Sequence, residues 1–164
     1  MKLKFALCSA FVVLCLAGCK SQTTPAVAPA ALEDTSIPNL TIIYGSEPVA
    51  RSLGFVKGKV FRDGQLMKLT GSVKNLSQAT YPIEYQVAWT DGDGAPLMNS
   101  PSWIRVTLNP RAEKPIVNVA KETRGAQAIV TFKVPADVQI FIPEPDPVEV
   151  MKYQQEMAAR QSQK

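Results

Sequence analysis

Histidine is absent from all 164 residues, and that absence removes a good part of ordinary enzymology. There can be no histidine-based triad, no imidazole metal ligand and no imidazole pH switch. Cysteine is scarce. Cys8 and Cys15 fall within the first 18 residues and Cys19 follows them, so a chain cut before Cys19 keeps one thiol and can close no internal disulfide. Charge of one sign is lacking too. The 18 basic and 14 acidic residues give +4; removing Lys2 and Lys4 with the leader leaves +2, too little to argue for nucleic acid. No phosphate-binding glycine motif and no activated cysteine occurs, and the carboxylates fall mostly at turns or on polar strand faces, Glu84 for example. These absences argue against an enzyme and call for no cofactor. A calcium loop at Asp91 and Asp93 would need an acidic residue about twelve positions along; Ser102 and Trp103 occupy that region. The Asp-Gly pairs there read as a turn.

What the chain has first is a leader. Lys2 and Lys4 precede a mostly apolar run from Phe5 to Leu16, shorter than the roughly 20 residues of a membrane span, and small residues close it. Leu16-Ala17-Gly18-Cys19 resembles the lipobox of bacterial lipoproteins. The resemblance implies cleavage after residue 18 and lipidation of Cys19, which would explain an unpaired cysteine in an oxidising compartment and anchor the protein firmly, since two or more acyl chains hold where one does not. Lys20 after the cysteine implies, by the same analogy, sorting to the outer membrane, facing the periplasm. Residues 19–39 then read as the lipidated cysteine and a flexible linker. From Lys20 to Ser36 the run is rich in Ser, Gln, Thr, Pro and Ala, without periodicity.

From residue 40 to 142 the pattern is that of strands. In Tyr81 to Thr90 the residues Tyr81, Ile83, Tyr85, Val87 and Trp89 alternate with Pro82, Glu84, Gln86, Ala88 and Thr90, which predicts one buried and one wet face. Gln65 to Asn75 turns Met67, Leu69, Gly71 and Val73 one way. Trp103 to Asn109 sets Ile104, Val106 and Leu108 inward, and Gln127 to Val134 does so with Ala128, Val130, Phe132 and Val134. Shorter strands are expected at Leu53 to Phe61, Pro115 to Val119 and Ala95 to Met98. Turn signals separate them at Arg62-Asp63-Gly64, Asn75 to Gln78, Asp91 to Gly94 and Asn109-Pro110-Arg111. Together these predict an all-β sandwich of about seven strands, with Trp89 and Trp103 as core and core-edge residues.

Residues 143–164 differ. Pro143, Pro145 and Pro147 enforce an extended segment, and Asp146-Pro147-Val148-Glu149 reads as a helix start, with Asp146 as N-cap and Pro147 at the first helical position. Val150, Tyr153 and Met157 then share one face. A helix this short is marginal alone, so the face is a candidate partner-binding site or packs on the domain's own sheet. Lys57, Lys59, Arg62 and Lys68, with Phe55 and Phe61 nearby, form a candidate anionic-ligand patch for peptidoglycan or lipid headgroups. The alternative is a solvated edge whose lysines discourage strand addition.

The chain resembles the YcfL-like family of bacterial periplasmic lipoproteins at Val73-Lys74-Asn75-Leu76-Ser77, at Tyr85 through Gly94, at Trp103, Val106 and Leu108, and at Val119-Ala120. The resemblance covers roughly Leu53 to Val134, besides the lipobox. It implies an immunoglobulin-like sandwich in the periplasm and supplies no catalytic residues. Lys121 stands where the family pattern has proline. The function expected is a non-enzymatic interaction or structural module of the cell envelope, its partner another envelope protein. Peptidoglycan or anionic-ligand binding is the alternative, as is an accessory role in a secretion complex.

Overall fold

The computed structural model describes residues 32–98, 101–137 and 144–162. The leader, Cys19 and the linker up to residue 31 lie outside the described residues, as do Ile140, Phe141, Ile142 and Pro143. The described residues hold eight strands: β1 (Leu32–Asp34), β2 (Leu40–Tyr44), β3 (Leu53–Asp63), β4 (Leu66–Asn75), β5 (Tyr81–Thr90), β6 (Ile104–Leu108), β7 (Glu113–Val119) and β8 (Gln127–Lys133). Two helices join them, α1 (Glu47–Ser52) and α2 (Pro147–Gln161). One sheet runs β1-β2-β8-β5-β6 and the other β3-β4-β7, and the apolar faces of both build one core. The protein is an all-β sandwich with a C-terminal helix.

Period-two alternation is clearest in β4 and β8, where buried and less buried positions alternate, whereas the first four residues of β3 are buried on both faces. The ends of β3 to β8 fall within two residues of those expected from the sequence. Three details differ. Leu32–Asp34, inside the stretch read as linker, forms β1 against β2, and Ile37 is in the core, so part of that stretch belongs to the sandwich. Ala95 to Met98 is no strand; a single bridge joins Thr90 to Pro96. Ile104, expected inward, is 45% exposed, because it opens the short edge strand β6.

β8 is the centre of the larger sheet. It pairs in parallel with β2, setting Phe132 beside Tyr44, and antiparallel with β5, setting Phe132 beside Tyr85. Phe55 of the smaller sheet meets the same ring from across the core, at 6.2 Å between centroids. Gly71 is the empty place in β4 that lets Phe55 in: a Cβ there would lie 2.4 Å from the Phe55 ring.

Helix α2 starts as the sequence predicts. Pro147 occupies the first turn, and Asp146 accepts a 3.0 Å hydrogen bond from the Val148 N–H. The Asp146 carboxylate is also ion-paired with Arg111 and accepts from Gln78 at 3.1 Å. The Val148 N–H and then Arg111 hold its pKa below the ordinary carboxylate range. A carboxyl depressed on folding stabilises fully above its unfolded pKa, about 4, and that contribution is lost as pH falls through the lower folded value. Acid titration followed by amide exchange in α2 is therefore expected to show the helix loosening below about pH 4, and Asp146→Asn to shrink that step. A step of unchanged size in the variant would remove Asp146 as its source.

Candidate functional site

Strand β5 has ten residues and β6 five. Their register runs from Tyr81 opposite Leu108 to Tyr85 opposite Ile104, so β6 leaves Gln86 to Thr90 uncovered. The chain after β5 folds back over part of that gap. Asp91 Oδ1 accepts from the Asp93 and Ala95 N–H groups at 3.1 and 2.9 Å, and the Leu97 N–H donates to the Trp89 carbonyl at 2.9 Å. Asp91 thus works as a turn residue, and among the described residues no group of acidic side chains could hold a metal ion.

The rest of the gap is an open cleft of about 220 Å³. Val87 and Trp89 of β5 form one wall with Leu97, while Asn118 and Val119 of β7 face them from the other sheet. The Trp89 indole N–H donates to Asn118 Oδ1 at 2.7 Å, which spans the two sheets and satisfies both polar groups where they are shielded from water. Ile104 and Val119 remain 45% and 43% exposed; with Pro101, Ser102 and Lys121 they complete the lining. Nearby carboxylates are engaged elsewhere. Glu122 accepts from Arg124 at 2.7 Å and from the Met98 N–H at 3.1 Å, and Asp91 lies 4.0 Å from Arg124. Among the described residues Lys121 has no acidic partner.

The span 41–133 of the chain matches the model of a family described as "Protein of unknown function (DUF1425)". That is more than half of the chain. This is a DUF1425 protein. Among solved structures it is similar to a DUF1425 family member from Shewanella sp. pv-4, at 11% identity over 52% of this chain and 79% of that one, with a TM-score of 0.46. It is similar as well to Cj0090 of Campylobacter jejuni, at 18% identity over 57% of this chain and 97% of that one, with a TM-score of 0.47. No curated protein matches. The DUF1425 span runs from the second residue of β2 to the end of β8, so the cleft lies inside the DUF1425 domain and α2 outside it.

The sequence-predicted residues of this DUF1425 protein do not meet at the cleft. Val150, Tyr153 and Met157 are half-buried on one side of α2, and that side is turned to the chain's own domain. Tyr153 lies over Gly54, where an added Cβ would be 2.8 Å from its ring, and its hydroxyl accepts a 3.4 Å bond from the Phe55 N–H on the edge of β3. Lys74 pairs with Glu149 at 2.7 Å. Of the two readings of this face, a partner site or packing on the chain's own sheet, the structure has the second: the face covers an edge strand, whose outward N–H groups need a partner.

The four basic residues are also dispersed. Lys59 and Lys68 stand over the Phe61 ring, 5.2 and 6.0 Å from its centroid, because Phe61 and Lys68 are opposite each other in β3 and β4. Lys68 is tied to Asp63 at 3.1 Å. Lys57, at the β3 bulge with φ 56°, pairs with Glu113 at 2.7 Å. Arg62 is opposite buried Met67, on the other face, and donates to the Gln65 carbonyl at 2.8 Å. A patch of four cations is thus corrected to two lysines around one ring. The cleft was missed because strand alternation says where residues point and not that one strand outruns its neighbour by five residues.

Proposed function

We propose that this DUF1425 protein is a YcfL-like outer-membrane lipoprotein, anchored through Cys19 at the periplasmic face, whose immunoglobulin-like sandwich is a non-enzymatic interaction module. Its working surface is the cleft beside β6 and β7. One observation carries this reading: the lining combines apolar side chains with Asn118, Ser102 and Lys121 and contains no carboxylate or thiol, a set suited to binding and poorly suited to proton transfer. Both edges of the smaller sheet are guarded. α2 covers β3, and β7 begins with Glu113, Lys114 and Pro115, all exposed, which discourages strand addition.

Photo-crosslinkers placed at Ile104 and Val119 in cells are expected to give discrete adducts, and controls at Met151 and Gln155 on the exposed side of α2 are expected to give none. Adducts confined to α2 would overturn the cleft as the working surface. The anchor is tested separately by the mass of the processed polypeptide, which should start at Cys19 and carry acyl groups. A second reading, peptidoglycan or another polyanion held by Lys59 and Lys68 around Phe61, predicts that charge reversal of both lysines abolishes co-sedimentation with sacculi.

A further inference from the structure

The geometry points to a small-molecule site in the cleft, one that takes an aliphatic carboxylate. This deepens the module reading and rests on the same cleft. Size comes first. At about 220 Å³ the space falls below the roughly 300–1,000 Å³ of pockets for drug-sized ligands, so what enters it is one short chain. Lining comes next. Val87, Trp89, Leu97, Ile104 and Val119 present apolar surface from both sheets, and the two most polar groups on the inner side, the Trp89 N–H and Asn118 Oδ1, already satisfy each other. An alkyl body entering there displaces water without breaking that bond, and the Asn118 amide nitrogen stays free to donate to water or to the ligand's polar end.

Charge decides the head group. Lys121 is exposed beside the cleft; Glu122, next to it in the chain, and Asp91 are both engaged by Arg124. A cation without an acidic partner among the described residues, beside an apolar slot, favours an anion at one end of the ligand. Ser102 adds a hydroxyl donor to the same lining. Thus the alkyl part lies between the sheets against Trp89 and Leu97, and the carboxylate remains partly in water at Lys121, which avoids the cost of burying it.

The test uses the chain from residue 19 onward with Cys19→Ser, which retains every described element and carries no lipid. Decanoate, decanol and decyltrimethylammonium are titrated below their micellar concentrations, and the methyl resonances of Val87, Leu97, Ile104 and Val119 are followed by NMR. Decanoate should shift these methyls saturably, decanol should bind more weakly, and the cationic amphiphile weakest of all. Lys121→Glu should weaken decanoate on the order of tenfold while decanol binding and thermal stability stay as in the parent. Equal affinity for the three probes, shifts confined to other surfaces, or a Lys121→Glu variant that binds decanoate as well as the parent would overturn the proposal. Cleft crosslinks to a protein that persist when decanoate fails to bind would sink the carboxylate site and leave the module reading standing.

Discussion

Phe132→Ala is expected to remove about 3–5 kcal/mol of stability, lowering the melting temperature by on the order of 10–20 °C. The side chain is fully buried, and its surroundings follow from strand register. Tyr44 and Tyr85 are its neighbours across β2 and β5, with centroids at 5.9 and 6.3 Å, and Phe55 closes from the opposite sheet. Deleting the ring opens a void with rigid walls, since Tyr44 and Tyr85 are held by strand pairing on both sides. A domain of this size has about 5–15 kcal/mol in total, so the variant sits near the unfolding threshold. Phe132→Leu, which keeps most of the volume, should cost under half as much. Chemical denaturation measures both; a loss below about 1 kcal/mol in the alanine variant would mean that the sheets do not meet at this ring.

The sequence made this centre legible in part. Strict alternation in β5 and β8 put Tyr85 and Phe132 on inward faces, and Gly71 fell on the same face of β4 as Leu69 and Val73. Pairing across the sandwich was not legible: β2 and β8 are parallel neighbours separated by half of the chain, and no local pattern encodes that. Leu40, Ile42 and Tyr44 alternate as clearly as β8 does, so β2 was readable in principle. α1 was hidden, being six residues long, with an N-cap position at Ser46 whose side chain makes no capping bond. The helix start at Asp146 was legible because capping is local chemistry. Where the helix packs was not, because that depends on Gly54 and Lys74, which are far from it in the chain and meet it by tertiary contact alone.

The cleft is legible only as a consequence of unequal lengths. Each expected strand end was close to the observed one, yet the site exists because β5 continues past the last pair with β6 and because Leu97 folds back over only part of the gap. Lys121 illustrates the same limit. In the sequence it is one more lysine; in the fold it stands beside the slot with the neighbouring acids occupied.

Asn75→Asp is the second substitution expected to have a large effect, and its signature is pH dependence. Asn75 is fully buried at the corner between β4 and β5. Its amide nitrogen donates to the carbonyls of Ala79, Asn109 and Leu108 at 2.8, 3.0 and 3.4 Å, and its amide oxygen accepts from the Ser77 N–H and hydroxyl at 2.9 and 2.7 Å. Aspartate keeps the Ser77 bonds but turns its second oxygen toward three carbonyls, so the charged form is buried against acceptors and should cost about 3–5 kcal/mol. Protonation relieves this, since the neutral acid can donate to one carbonyl. The folded pKa of the introduced carboxyl therefore rises above its unfolded value of about 3.9. Between the two values the folded state holds the extra proton, and stability relative to the parent falls by about 1.4 kcal/mol for each pH unit gained. Below about pH 4 the variant should approach the parent; above the raised folded pKa the deficit should level off. Denaturant unfolding of parent and variant from pH 4 to 8 measures the difference, with Asn75→Ala, expected to lose about 1–3 kcal/mol, as the pH-independent control. A difference between parent and aspartate variant that stays constant across that range would show that the carboxyl does not face the carbonyls, and the corner that launches β5 toward the cleft would need another explanation.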